Sequence, residues 1–250
     1  MLNNNTIEVY DFSLATEQAG YEQRLELLSP DEVERAERFK FNHHRMCWVS
    51  SRAALRSILA AHLEVQPHDL TFTLRDNGKP QLQSTSSARS KKPDAGKTKN
   101  DRLHFNLSHS HERGLIALSK NLEVGCDVEH VKPITDWAAI TRRFFSQVEQ
   151  QELFAVDLSL RPLAFFLGWT RKEAIIKATG EGLRAKLDAF DVTLTPEEEA
   201  LVLEYRDESQ VDANWHLRHF DPHPNYVAAV AVDSQVEPEF VFHQDCTPGE

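Results

Sequence analysis

Two carboxylates stand two residues apart in the run VGCDVEHV, at Asp127 and Glu129. In a strand, residues two apart face the same way, so these acids share one face while Cys126 and Val128 share the other. Carboxylates held side by side repel unless a cation or a proton joins them. A hard divalent cation such as Mg2+ would remove the repulsion, and it typically keeps several waters and binds substrate phosphates. Ordinary solvated acids on an exposed strand face would give the same pattern.

A third acid lies in WTRKEAIIKATGEGL, residues 169–183. At about 100° per residue, Glu173 and Lys177 fall on one helix face, with Phe166, Trp169, Thr170 and Ile176 around them. The i,i+4 order alone reads as a helix salt bridge worth about 0.2–0.5 kcal/mol. That reading leaves the apolar company unexplained, because a carboxylate there needs a partner or a shifted pKa. A metal ion shared with Asp127 and Glu129 would be such a partner.

Two further segments offer phosphate contacts. FNLSHSHERG puts Ser108 and His109 at a strand end entering a turn, and hydroxyls, imidazoles and turn amides commonly hold phosphate. His109 and His111 lack a third ligand at zinc spacing. Lys79 and Pro80 follow an Asn-Gly turn in GKPQL, and a lysine there can neutralise a phosphate as a point charge. Each segment in isolation also fits a plain polar turn or a solvated lysine.

These residues need elements to hold them. Strand patterns run through IEVYDFSL, LHFNLSHS, GLIALSK and LEVGCDVEHV, and LTFTLRDNGKPQL reads as a hairpin. SPDEVERAERF begins a helix, with Ser29 as cap, Pro30 at the first position and Glu32 closing a capping box. RMCWVSSRAALRSILAAHL has apolar residues at helical spacing. After Pro133 the pattern turns helical: FFSQVEQQEL carries Ser146 and Glu149 at capping-box spacing, and a longer helix spans about 162–179, stopped by Gly180 and Gly182. AFDVTL, ALVLEYR, NWHLRHF and NYVAAVAV close the chain as strands. Residues 84–101, Ser/Lys-rich and without periodicity, read as a mobile loop. The fold class is α+β with antiparallel strands, in two halves of loosely similar element order, 1–122 and 123–250.

Composition narrows the function. The 250 residues are 40% hydrophobic with a formal charge of −11, which argues against a general nucleic-acid binder but allows a local basic pocket. Neither a span of about 18 apolar residues nor a secretory signal pattern stands in the sequence. Cys47, Cys126 and Cys246 make neither a disulfide frame nor a zinc pattern, so a cytoplasmic protein with reduced thiols is expected.

Taken in order, GKP at 78–80, FNLSHS at 105–110, VGCDVE at 124–129, RFFS..E at 143–149 and WTRKEAIIKATGEGL at 169–183 resemble the 4'-phosphopantetheinyl transferases, of the longer type that activates surfactin synthetase and similar assembly lines. The resemblance spans residues 29 to 183 and rests on the ordered set, since each piece alone is weak. It implies two similar α/β halves about a pseudo-twofold axis, with coenzyme A and Mg2+ in the cleft between them. By the same resemblance Asp127, Glu129 and Glu173 are the expected metal ligands, and Glu173 and Lys177 the catalytic pair. Arg35, Lys79, Pro80, Ser108, His109, Asp127 and Lys172 are expected around coenzyme A, with His109 near the 3'-phosphate. Glu32 departs from the pattern, standing where some members have a lysine, and Arg45 or Arg52 could compensate. The implied partner is an apo acyl or peptidyl carrier protein, and a monomer is expected. A metal-dependent coenzyme A phosphodiesterase and a non-catalytic coenzyme A-binding protein are the alternatives. Retention of all three acids and Lys177 counts against the second.

Overall fold

A computed structural model of the chain describes residues 2–15, 18–83, 102–182, 185–206 and 212–246. The loop expected at 84–101 lies outside them. The chain opens with β1 (Thr6–Ser13), then α1 (Gln18–Glu26), α2 (Pro30–Glu37) and the long α3 (Asn42–Leu63). A short hairpin, β2 (Phe72–Leu74) and β3 (Pro80–Leu82), leads to β4 (Leu103–Ser110) and β5 (Arg113–Lys120). The same order then repeats. β6 (Val124–His130) is followed by α4 (Trp137–Phe144), α5 (Gln147–Ala155) and the long α6 (Arg161–Thr179). The hairpin β7 (Phe190–Val192) and β8 (Val202–Tyr205) precedes β9 (Trp215–Phe220) and β10 (Tyr226–Asp233). A last strand, β11 (Glu239–His243), has no counterpart.

The sheets repeat as well. The first is ordered β11-β1-β5-β4 and the second β6-β10-β9, antiparallel apart from the parallel β1–β11 pair. Both central strands, β5 and β10, are buried along almost their whole length, which is why GLIALSK and NYVAAVAV read as apolar runs rather than as alternation. Strand geometry sends their side chains to two different cores. Ile7, Val9, Leu115 and Ala117 meet Cys126, Val128, Ala228 and Val230 in a core joining the two sheets. On the opposite faces, Phe12, Ile116 and Leu118 pack with Leu55 and Leu59 of α3, while Val227, Ala229 and Ala231 pack with Ala174 and Ile175 of α6. The order is helix, sheet, sheet, helix, so strands from the two halves lie against each other.

The last segment departs from the expected 122/123 division. β11 pairs with the open edge of β1, Thr6 opposite Glu239 through Tyr10 opposite His243, and the Cys246 N–H donates to the Asp11 carbonyl at 2.9 Å. An unpaired strand edge offers a ready row of backbone donors and acceptors, and the C-terminal chain satisfies it. Among the described residues, no helix is long and apolar enough to cross a membrane.

Candidate active site between the two halves

Asp127 and Glu129 face away from the joint core, toward α6 and β4. Helix and strand approach closely because of Gly125, where a Cβ would lie 2.0 Å from the Ala174 carbonyl oxygen and 2.3 Å from the Ala178 nitrogen. Gly180 ends α6 in the left-handed conformation, φ 75°, its N–H donating to the Ile176 carbonyl at 2.9 Å. The site residues therefore sit on a strand and a helix whose separation is set by backbone contact.

β4 supplies the hydroxyls. The Ser108 hydroxyl donates to Asp127 Oδ1 at 2.7 Å and the Ser110 hydroxyl to Glu129 Oε2 at 2.6 Å. Asn106 Oδ1 accepts from the Cys126 N–H at 3.0 Å. Asn106, Ser108 and Ser110 alternate on one face of β4, so three polar side chains from the first half stitch β6 of the second. Sequence reasoning singled out Ser108 and missed its two neighbours; the same period of two would have found them. It also sets His109 out of phase with Ser108, and the structure leaves His109 exposed.

Glu173 and Lys177 are both half-buried, but they do not form the i,i+4 salt bridge. The Lys177 ammonium turns to Asp127 Oδ1 at 2.6 Å and to the Ser108 hydroxyl at 3.0 Å. Burial alone would lower the Lys177 pKa, yet the adjacent Asp127 carboxylate outweighs it and the net shift is upward. The Glu173 carboxyl is pushed up by burial and then by the charges of Asp127 and Glu129, with Lys177 opposing. Glu129 is also raised, by burial first and by Asp127, against the Ser110 hydrogen bond. Glu129 and Glu173 thus both resist ionisation beside the Asp127 carboxylate, an arrangement that a cation would relieve.

The donor set fits a hard metal ion. Asp127 Oδ2 is buried and has no hydrogen-bond partner, an orphaned carboxylate oxygen of the kind that a cation satisfies. The acids are neighbours rather than a closed coordination shell: among the described residues, no three His, Cys, Asp or Glu side chains converge tightly enough to hold an ion. Lys177 is the cation on Asp127 in this structure.

Other expected ligand contacts lie elsewhere. The Lys172 side chain has no exposed surface; its ammonium pairs with Glu149 at 2.8 Å and donates to the Leu187 carbonyl at 2.6 Å and to the Phe190 carbonyl. All its protons are taken inside the second half, which corrects the expectation of a coenzyme A contact. Lys79 is similarly committed, to Glu123 Oε2 at 3.0 Å and to the Val124 and Ala178 carbonyls at 3.2 Å each. It is a bridge between the halves rather than a free charge for phosphate. Arg35 is exposed in the last turn of α2, with its guanidinium 5.5 Å from the Trp48 ring centroid. Pro80 is the exposed first residue of β3. Glu32 is buried and gripped by Arg52 and Arg56, so Arg52 is not free to replace a missing lysine.

Comparison with known proteins agrees with this arrangement. Residues 15–121 match the family model described as 4'-phosphopantetheinyl transferase, N-terminal, and residues 123–231 match the 4'-phosphopantetheinyl transferase superfamily model. The 4'-phosphopantetheinyl transferase HetI of Nostoc sp. is 37% identical over 82% of this chain and 78% of its own. The 4'-phosphopantetheinyl transferase Sfp of Bacillus subtilis is 31% identical over 69% of each. Among solved structures, the holo-[acyl-carrier-protein] synthase of Thermotoga maritima covers 46% of this chain and 65% of its own at 18% identity and a TM-score of 0.36, too loose an overlap to bear weight. Two family models that tile the chain half by half, and relatives aligned across both halves, place it plainly: the chain belongs to the 4'-phosphopantetheinyl transferase superfamily.

Proposed function

We propose that this enzyme transfers 4'-phosphopantetheine from coenzyme A to a serine hydroxyl of an apo acyl or peptidyl carrier protein, releasing adenosine 3',5'-bisphosphate. The observation that carries the reading is the meeting of Asp127, Glu129 and Lys177 with the hydroxyls of β4 where the halves join, with Glu173 within electrostatic reach of all three. Asp127, Glu129 and Glu173 would hold Mg2+, which when bound supplies positive charge to a pyrophosphate and to the charge that develops in phosphoryl transfer. Glu173 accepts the serine proton, directly or through water. The hydroxyl attacks the β-phosphorus, the bond to the bridging oxygen breaks, and the electron pair leaves with the nucleotide. Lys177, kept charged by Asp127, stabilises or protonates that leaving oxygen. Ser108 holds Asp127 and Lys177 in register through its single oxygen.

The His109 imidazole at the open end of β4 and the Arg35 guanidinium on α2 are the remaining exposed groups proposed for the coenzyme's phosphates, with His109 near the 3'-phosphate as a hydrogen-bond donor. A monomer working in the cytoplasm fits a chain that contains both halves and keeps three unpaired cysteines. Incubation with coenzyme A, Mg2+ and a panel of apo carriers tests the reading: intact mass should show one phosphopantetheine added to at least one carrier. Release of phosphopantetheine without any carrier would favour a phosphodiesterase instead, and no change in any carrier or in the coenzyme would overturn both.

A further inference from the structure

Lys79 comes from the β2–β3 hairpin of the first half, yet every partner its ammonium has lies beyond residue 122. One acceptor is the carbonyl of Val124, the first residue of β6, three before Asp127. Another is the carbonyl of Ala178 in the last turn of α6, next to Lys177. The third is Glu123 Oε2, in the connection between the halves. An ammonium has three protons, and all three are used. The side chain is 7% exposed, so water does not compete for them.

The same hairpin tip makes a second contact with the end of α6. A Cβ at Gly180 would lie 2.5 Å from Asn77 Nδ2 and 3.6 Å from the Lys79 side chain, so residues 77–79 sit directly on the turn that terminates the helix. Glu123 is not dependent on Lys79 for neutralisation: Arg75 is at 2.7 Å and His104 at 2.9 Å. Among the described residues, the two carbonyls have no such alternative cation. The chemistry of Lys79 is thus that of a clamp on two backbone segments.

We infer that Lys79 is a positioning residue that fixes the end of α6 against the start of β6, and so sets Lys177 and Glu173 relative to Asp127 and Glu129. The inference rests on the transferase reading for its consequence in catalysis, though not for the clamp itself. A group acting through alignment alters the rate of the bound complex, while a group that binds phosphate alters the affinity for coenzyme A. Misplacement of reacting groups by about 1 Å can cost on the order of 100-fold in rate. Lys79→Met should therefore lower kcat by roughly 10- to 100-fold and leave KM for coenzyme A within about threefold. Glu123→Gln, which leaves both carbonyl bonds in place, should hold kcat within about threefold of wild type.

Amide hydrogen exchange reads the clamp without any substrate. In Lys79→Met, exchange at 177–180 should speed by about tenfold or more, with α3 unchanged. Lys79→Gln, which keeps a donor group, takes its place if the Met variant does not fold. A rise in KM for coenzyme A at constant kcat, or unchanged exchange at 177–180, overturns the inference. If exchange responds as expected but the wild-type protein transfers nothing, the clamp stands and the functional reading fails.

Discussion

Tyr10 and Asp127 hold the same place in the two halves, each opposite the fourth residue of its central strand, Ile116 of β5 and Ala229 of β10. Each also meets a side chain near the end of its long helix. The Tyr10 hydroxyl lies 2.8 Å from His62 Nε2 on α3, and Asp127 Oδ1 lies 2.6 Å from the Lys177 ammonium on α6. Two residues along, core-buried Phe12 corresponds to half-buried Glu129. Ser108, opposite the third residue of β5, corresponds to Phe220, opposite the third of β10. β11 then covers the aromatic side: His243 stacks on Tyr10 with centroids 4.3 Å apart, and Phe242 meets Phe220 at 4.7 Å. One scaffold thus carries two carboxylates, serine hydroxyls and an ammonium at one junction, and at the other aromatic and imidazole rings around the single carboxylate of Glu8, which accepts from the Tyr10 hydroxyl. Substitution at fixed positions, with no change of fold, is what separates the two junctions, and it is why the proposed site falls at only one of them.

The buried ion pairs show the opposite relation, where the halves agree. Glu32 and Glu149 are each the third residue of a short helix, with a side chain that accepts from its cap residue's N–H, Ser29 at 3.3 Å and Ser146 at 2.9 Å. Each reaches a cation on its long helix seven residues before the end, Arg56 on α3 and Lys172 on α6. Lys172 is accordingly a framework residue, matched in the half that carries none of Asp127, Glu129 and Glu173.

The largest expected contrast is between Asp127→Asn and Tyr10→Phe. The first removes the charge that holds Lys177 and should lower the transfer rate by about 100- to 1,000-fold, while the second should stay within about twofold of wild type. Rates of carrier modification measured by intact mass check both, and comparable losses would break the distinction between the junctions. Next, Lys172→Met leaves Glu149 buried without its cation and should destabilise the fold by about 3–5 kcal/mol in denaturant melts. Arg52→Met should cost less, because Arg56 remains on Glu32.

The smallest expected effect is at the connection between the halves. Burial would raise the Glu123 pKa, but His104, Lys79 and Arg75 hold it well below the usual carboxylate range. A depressed folded pKa contributes stability that is fully present above the unfolded value and lost as pH falls toward the folded one. Glu123→Gln should therefore lower stability near neutrality and flatten its decline below about pH 4.5, with little difference from wild type once the carboxylate is protonated, as urea midpoints would show. Glu123 is over a third exposed, so the change is modest.

Much of the fold was legible because its signals are local. The strands β4, β5 and β6, the Asn-Gly hairpin and α6 follow from alternation, turn chemistry and a terminating glycine within each segment. α1, in QAGYEQRLE, was missed because a polar nine-residue helix containing a glycine has no apolar stripe to reveal it. β11 was missed because EFVFH becomes a strand through an edge located more than 200 residues earlier in the chain. The candidate site divides in the same way. Asp127, Glu129, Glu173 and Lys177 were visible as acids and a base on defined faces. Which partner Lys177 chooses was not, since Asp127 lies 50 residues away and outcompetes the neighbour one turn along. Lys172 and Lys79 looked like free cations because Glu149, Leu187 and Ala178 reach them only through the tertiary fold.

The account stands most directly on Glu173. Glu173→Gln keeps the size of the side chain and removes its charge, in a group that burial and two neighbouring carboxylates already hold toward the neutral form. Single-turnover transfer to an apo carrier, measured beside a thermal melt, should show a rate lower by about 100- to 10,000-fold with an unchanged or higher melting temperature. A near-normal rate in the folded variant would contradict the account and make Glu173 a structural residue.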